Sequence, residues 1–139
     1  MTVATNKGKR RLVLDARQIN PQLFKFRYKY EDANTSRVMF NKGNFCFSHD
    51  IKSAYHHIEM FDTDRTYLGF QWKNKYYVFS VLPFGLYTSG FIFSKVMREI
   101  LKHWRNQGLK MIMYLIDGLG GEDNFLETLK TINKVKSDL

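Results

Sequence analysis

Cysteine, membrane-length apolar runs and acidic charge are all scarce in this chain. Cys46 is the single cysteine among 139 residues, so an internal disulfide cannot form. Its place in an apolar run marks it as a small core residue, and a reducing, intracellular setting (cytoplasm or nucleus) fits. No apolar run approaches the roughly 18 residues of a membrane span, and the N-terminus has no signal-peptide h-region. Internal repeats and low-complexity tracts are missing too. Asp and Glu number 13 against 22 Lys and Arg, a net charge of +9. That balance fits phosphate-rich partners or anionic surfaces without choosing between them. Hydrophobic residues make up 44% of the chain and aromatics 16%, which argues against disorder. The length suits one domain with one sizeable core.

Met1 to Gly8 reads as a flexible start, followed by a basic cluster and the short strand Leu12-Val13-Leu14. From Phe24 to Tyr30 aromatic and basic residues alternate, as in an extended segment with one apolar and one cationic face. Such a segment is either a solvated edge strand or a strip along a nucleic-acid backbone. Glu31 to Phe40 reads as a short helix with Val38, Met39 and Phe40 packed inward. Phe45 to Ile51 is a strand with Asp50 near its C-terminal end. Tyr67–Trp72 and Lys75–Val81 form a hairpin around Lys73-Asn74. A long helix runs from Thr88 or Ser89 to Arg105, with Phe93, Met97, Leu101 and Trp104 on its apolar stripe. A last helix spans about Glu122 to Lys136, with Phe125, Leu129, Ile132 and Val135 on one side. The order predicts an α+β fold with helices on one face of an antiparallel sheet.

The chain is organised around the apolar run Met111 to Ile116, then Asp117, then Gly118, Gly120 and Gly121. Here Asp117 sits where the strand must turn, and the glycines permit the tight reversal. A carboxylate held at such a tip either shapes the turn or offers oxygen to a hard cation such as Mg²⁺. Asp50 ends another strand, and pairing of the two strands would bring both carboxylates to one rim. Two carboxylates on one rim of a basic protein suggest Mg²⁺-dependent chemistry on a phosphate chain. His49, His56 and His57 have no Cys partner or His-x₃-His spacing and read as polar rim residues rather than zinc ligands.

Four segments carry a resemblance. Asp50-Ile51-Lys52-Ser53-Ala54-Tyr55-His56-His57-Ile58 resembles the first catalytic motif of retroelement reverse transcriptases. Leu82-Pro83-Phe84-Gly85-Leu86 before a helix resembles the second, and Tyr114-Leu115-Ile116-Asp117 stands where their Tyr-x-Asp-Asp motif belongs. Arg11 to Asn20 is similar to the fingers segment upstream. The four stand in the family's order and cover about Lys9 to Leu129. The continuation Asp117-Gly118-Leu119-Gly120 is similar to tyrosine-recombinase (DIRS-like) retrotransposons, transposable elements that encode such an enzyme.

The resemblance implies an RNA-directed DNA polymerase: template-directed addition of dNTPs to a primer 3′-end, on RNA or DNA, by two metal ions, Mg²⁺ or also Mn²⁺. It implies a palm over residues 45–139 and partial fingers over 1–44, with fingers interleaved at about 60–85. Asp50, the Ile51 carbonyl and Asp117 would hold metal. Tyr55 would lie under the sugar as a gate against a 2′-hydroxyl. Lys9 and Arg11 would hold the triphosphate, and Phe84 and Gly85 would border the nucleotide; a plain reading of Tyr55 and Phe84 is core aromatics. Two positions depart from the pattern. Ile116 replaces a metal-binding Asp, which removes a ligand outright, and Gly90 replaces the Pro usual at the start of the helix. The rest of the palm, the thumb and any RNase H or recombinase region are expected as further parts of a polyprotein. The alternative is a catalytically inactive remnant that at most binds nucleic acid.

Overall fold

A computed structural model describes residues 2–6 and 9–139, with side chains described from Leu12 onward. The chain forms two compact units, one of residues 1–27 and 53–93, the other of 28–52 and 94–139.

In the first unit, β1 (Thr2–Asn6) pairs antiparallel with β2 (Lys9–Val13). A flexible start up to Gly8 is therefore corrected: Thr2–Asn6 is a strand, its backbone donors and acceptors engaged by β2. Further on, β4 (Gly69–Trp72) and β5 (Lys75–Val78) form a hairpin. Its two-residue turn, Lys73-Asn74, has both φ values positive, at 47° and 59°. That is the type I′ geometry matching the right-handed twist of the strands. The core of this unit gathers Leu14, Ala16, Leu68 and Phe79, with Leu12, Met60, Phe70 and Leu86 packed against it.

The second unit holds α1 (Ala33–Met39) and a three-stranded antiparallel sheet of β3 (Phe45–Asp50), β6 (Met111–Tyr114) and β7 (Asp117–Glu122), in the order β3-β7-β6. Two helices complete it: the long α2 (Ser89–Asn106), which begins in the first unit, and α3 (Phe125–Asp138). Residues alternate between sheet faces. Phe45, Phe47 and His49 therefore share one face, and the helices lie on it: Phe45 meets Phe125 of α3 at 6.0 Å and His49 meets Trp104 of α2 at 6.3 Å. Trp104 is wholly buried, and its indole N–H donates to Asp138 at 2.9 Å, tying the two helices together. The α+β layout with helices on one sheet face holds.

Several local expectations do not. Cys46 is exposed rather than a core residue, because it points to the face opposite the helices. Helix α1 buries nothing; Val38 is 89% exposed, and the helix rests on its Asp32 cap, which accepts from the N–H groups of Asn34 and Thr35. Helix α3 starts at Phe125, capped by Asn124, and buries Thr128, Thr131 and Val135 rather than Phe125 or Leu129. Thr128 donates to the Phe45 carbonyl at 3.2 Å and Thr131 to Glu122 at 3.1 Å, so hydroxyls are satisfied where an apolar stripe would have been expected. Phe24 to Tyr30 forms no strand; Phe24 stands 82% exposed, while Phe26 stacks on Phe91 at 4.3 Å.

Candidate active site

The second unit carries the carboxylates. Asp50 ends β3, Asp117 begins β7, and the two are direct partners in the antiparallel register. Both are exposed, and they lie on the face away from α2 and α3. Just past them the Ile51 N–H donates to the Ile116 carbonyl at 3.1 Å, which extends the pairing to the hairpin turn. That turn is Leu115-Ile116, one step earlier than the sequence suggests. Asp117 is in the strand, with Asp50 of β3 beside it on one side and Tyr114 of β6 on the other. Leu115 takes a positive φ of 55°, a costly conformation for a branched side chain that such a tight turn demands.

The glycines therefore do not make the reversal. They lie within β7, opposite the large residues of β3: Gly118 faces His49 and Gly120 faces Phe47. A Cβ at Gly118 would overlap the His49 ring, and one at Gly120 would overlap the Phe47 ring and the Met111 sulfur. The rings fold over bare backbone, which leaves room for the helices above them.

His49 lies on the opposite sheet face, next to Asp50 in sequence. Both ring nitrogens are buried without a hydrogen-bond partner. Burial pushes its pKa below the ordinary 6.5, against the opposing pull of Asp50 and Asp117. A depressed histidine pKa means that the unfolded chain binds the extra proton first. His49 thus favours folding fully above pH 6.5, and this contribution is lost as pH falls from there toward the folded-state value. Thermal melts from pH 7.5 to 5 check this. The native chain is expected to lose stability relative to His49→Leu as the pH drops, with the two curves parallel above pH 7.

The first unit places the remaining candidates. Tyr55 is half-buried in a 3₁₀ turn (Ala54–His57), its ring 4.8 Å from Phe84 and 5.5 Å from Phe93. Phe84 accepts the Leu14 N–H at 2.8 Å through its carbonyl. Gly85 has φ +112°, and a Cβ there would run into the Leu14 carbonyl oxygen. Sequence reasoning missed Asn20, which is only 8% exposed. Its amide donates to the Gly85 carbonyl at 2.9 Å and accepts the Tyr87 N–H at 3.0 Å, so it fixes the loop from both sides. The only hint was its place before Pro21 at a turn. Asn20→Leu is expected to cost this unit about 3 kcal/mol, since two buried backbone groups lose their partner; chemical denaturation checks it. Gly90 is buried in the first turn of α2, where the Ser89 hydroxyl donates to the Pro83 carbonyl at 2.7 Å and the Ile92 N–H to Thr88. The side chains of Lys9 and Arg11 lie outside the described residues.

Among the described residues no three His, Cys, Asp or Glu side chains converge as a metal cage. Asp50 and Asp117 form a pair. Mg²⁺ is commonly held by one or two carboxylates, with water and substrate phosphates completing its shell, so the pair fits one such ion. The side chain beside them in the turn, Ile116, is apolar and offers no donor.

The chain as a whole matches known proteins. Residues 5–137 match the family model described as reverse transcriptase (RNA-dependent DNA polymerase). The chain is 31% identical over 101 residues to the retrovirus-related Pol polyprotein from transposon gypsy of Drosophila melanogaster, covering 73% of this chain and 10% of that one. It is 26% identical over 136 residues to the polyprotein from transposon 297 of the same organism, covering 98% and 13%. The chain thus spans about a tenth of these curated relatives. Among solved structures, the foamy viral protease-reverse transcriptase in complex with double-stranded DNA superposes with TM-score 0.81 at 20% identity, over 96% of this chain and 23% of that one. Family model, relatives and fold agree, and the chain belongs to the reverse transcriptase family of retrotransposon and retroviral Pol polyproteins.

Proposed function

We propose that this domain adds dNTPs to a primer 3′-end on an RNA or DNA template in its ancestral form, and that Ile116 severely reduces the reaction in this chain. The observation that carries the reading is the direct cross-strand pairing of Asp50 with Asp117 on the open sheet face. A divalent metal bound there supplies activation of the primer hydroxyl and neutralises phosphate charge. The chain's own residues hold and orient. Asp50 and Asp117, with the Ile51 carbonyl, supply oxygen donors. Lys9 and Arg11 hold the triphosphate, the guanidinium suiting bidentate contact. Tyr55, braced by Phe84 and Phe93, excludes a 2′-hydroxyl, and Phe84 and Gly85 border the base and sugar. Residues 45–139 serve as palm, and 1–44 with about 60–85 as fingers. Template-primer duplex is the partner, in keeping with the foamy viral relative's complex with double-stranded DNA. No helix among the described residues is long and apolar enough to cross a membrane.

Primer extension in Mg²⁺ and in Mn²⁺, by the chain within its polyprotein, tests this. Weak incorporation is expected that Asp50→Asn abolishes. Incorporation unaffected by Asp50→Asn would overturn the assignment of Asp50. The second reading, a remnant that only binds nucleic acid, is favoured by Ile116 and the +9 charge. It predicts no incorporation and a duplex affinity that falls steeply with salt. The element is assigned to the tyrosine-recombinase (DIRS-like) kind on Asp117-Gly118-Leu119-Gly120, and a recombinase frame in the same element would support that.

A further inference from the structure

Strand β6, which leads into Asp117, is the last strand of its sheet on one side. In a two-residue hairpin the residues flanking the turn bond to each other, so Tyr114 and Ile112 direct their polar groups to β7. Met111 and Met113 must then point theirs away from the sheet. Met111 is wholly buried and Met113 nearly so, and an outward-facing backbone group there has little access to water. One ion pair meets both. Arg105 of α2 donates to the Met111 carbonyl through Nε at 3.0 Å and Nη2 at 2.7 Å. Glu31 accepts the Met113 N–H at 3.1 Å. The two side chains join each other at 2.7 and 2.8 Å, each about two-thirds buried or more. Acceptor and donor are spaced as a neighbouring strand would space them. The residue before Glu31 adds a second contact on the same edge, the Tyr30 ring lying 4.9 Å from that of Tyr114.

We infer that the Glu31–Arg105 pair is a surrogate fourth strand that locks the outer edge of β6 and thereby positions Asp117 against Asp50. Glu31 and Arg105 are positioning residues, outside the four motif segments of the family resemblance. The part played by Asp117 rests on the function proposed above; the lock itself does not. Without the pair, the outer edge of β6 would lose its hydrogen bonds at Met111 and Met113, the latter two residues before the strained Leu115.

Amide hydrogen exchange on the full chain tests the lock without any assay of activity. In Glu31→Ala the Met113 amide is expected to exchange about tenfold faster relative to that of Ile112, the loss of one hydrogen bond. Glu31→Gln keeps an acceptor and is expected to restore much of the protection. Val135→Ala, which weakens the same unit through α3, is expected to leave the Met113-to-Ile112 ratio unchanged. An unchanged ratio in Glu31→Ala, or an equal change in Val135→Ala, would overturn the lock. Positioning is read from backbone order at Leu115 and Ile116 by ¹⁵N relaxation and from Mn²⁺ affinity. Glu31→Ala is expected to lower the order and weaken Mn²⁺ binding about threefold or more. Order unchanged despite faster Met113 exchange would overturn positioning. A native chain that binds no Mn²⁺ would instead strike the proposed function, leaving the lock to stand on exchange and order.

Discussion

Ile116→Asp is expected to tighten Mn²⁺ binding by about tenfold or more and to raise Mn²⁺-dependent primer extension by roughly a hundredfold or more, the few kcal/mol that a well-placed metal ligand supplies. The site is ready for it. Position 116 is the second residue of the turn between β6 and β7, and its carbonyl already accepts the Ile51 N–H at 3.1 Å, beside Asp50. The side chain there is half-buried and apolar, so the native residue supplies packing and no donor. Replacing it adds a third carboxylate to Asp50 and Asp117 without moving backbone. Like charges will crowd in the metal-free form, so the variant is expected to melt earlier without divalent ions and to regain stability when Mn²⁺ is added. Isothermal titration with Mn²⁺, with Ile116→Asn as the uncharged control, separates a gained ligand from a loosened turn. Equal Mn²⁺ affinity in native and Ile116→Asp chains would show that a carboxylate at position 116 adds no metal ligand.

How far the sequence foretold this site depends on which force decides each residue. The strand ends bearing Asp50 and Asp117 were legible because each follows a run of apolar residues, and the supposition that these two strands pair is met by the β3–β7 register. The position of the turn was not. Glycine is the usual signature of a reversal, and the sequence offers three just after Asp117, yet the chain turns through Leu115 and Ile116. Gly118 and Gly120 answer to rings across the strand, His49 and Phe47, a pairing that exists only once β3 and β7 meet. Cys46 shows the same limit: hydrophobic character argues for burial, but strand alternation places it on the face the helices leave open. On α3, periodicity favoured Phe125 and Leu129 because it counts apolar residues. It does not register that Thr128 and Thr131 can be buried once their hydroxyls find Phe45 and Glu122. Asn20 and Glu31 escaped notice because each acts on backbone groups far away in sequence, and no local pattern announces that.

Gly85→Ala is expected to be the most damaging single-methyl change in the first unit, costing about 3 kcal/mol or more. Two penalties coincide. The φ of +112° lies in a region that L side chains avoid, and the added Cβ would meet the Leu14 carbonyl oxygen, a backbone atom that cannot swing aside. That oxygen is held in place, since the Leu14 N–H is bonded to the Phe84 carbonyl and Leu14 is itself core. Relief would require the loop to peel from β2, breaking the Asn20–Gly85 bond at 2.9 Å and disturbing Phe84 under the Tyr55 ring. Gly43 isolates the first penalty: its φ is a similar +100°, but a Cβ there would stand in open space, with nothing within 4 Å. Gly43→Ala is therefore expected to cost only about 1 kcal/mol. Denaturant unfolding of the two variants measures the difference, which belongs to the clash alone. Near-equal losses would mean that the Leu14–Gly85 approach is loose, and the nucleotide-bordering role given to Phe84 and Gly85 would lose its rigid support. A large loss at Gly85, accompanied by faster exchange of the Leu14 and Tyr87 amides and not of those in β3 or β7, would locate the damage in the loop that carries the Pro-Phe-Gly motif.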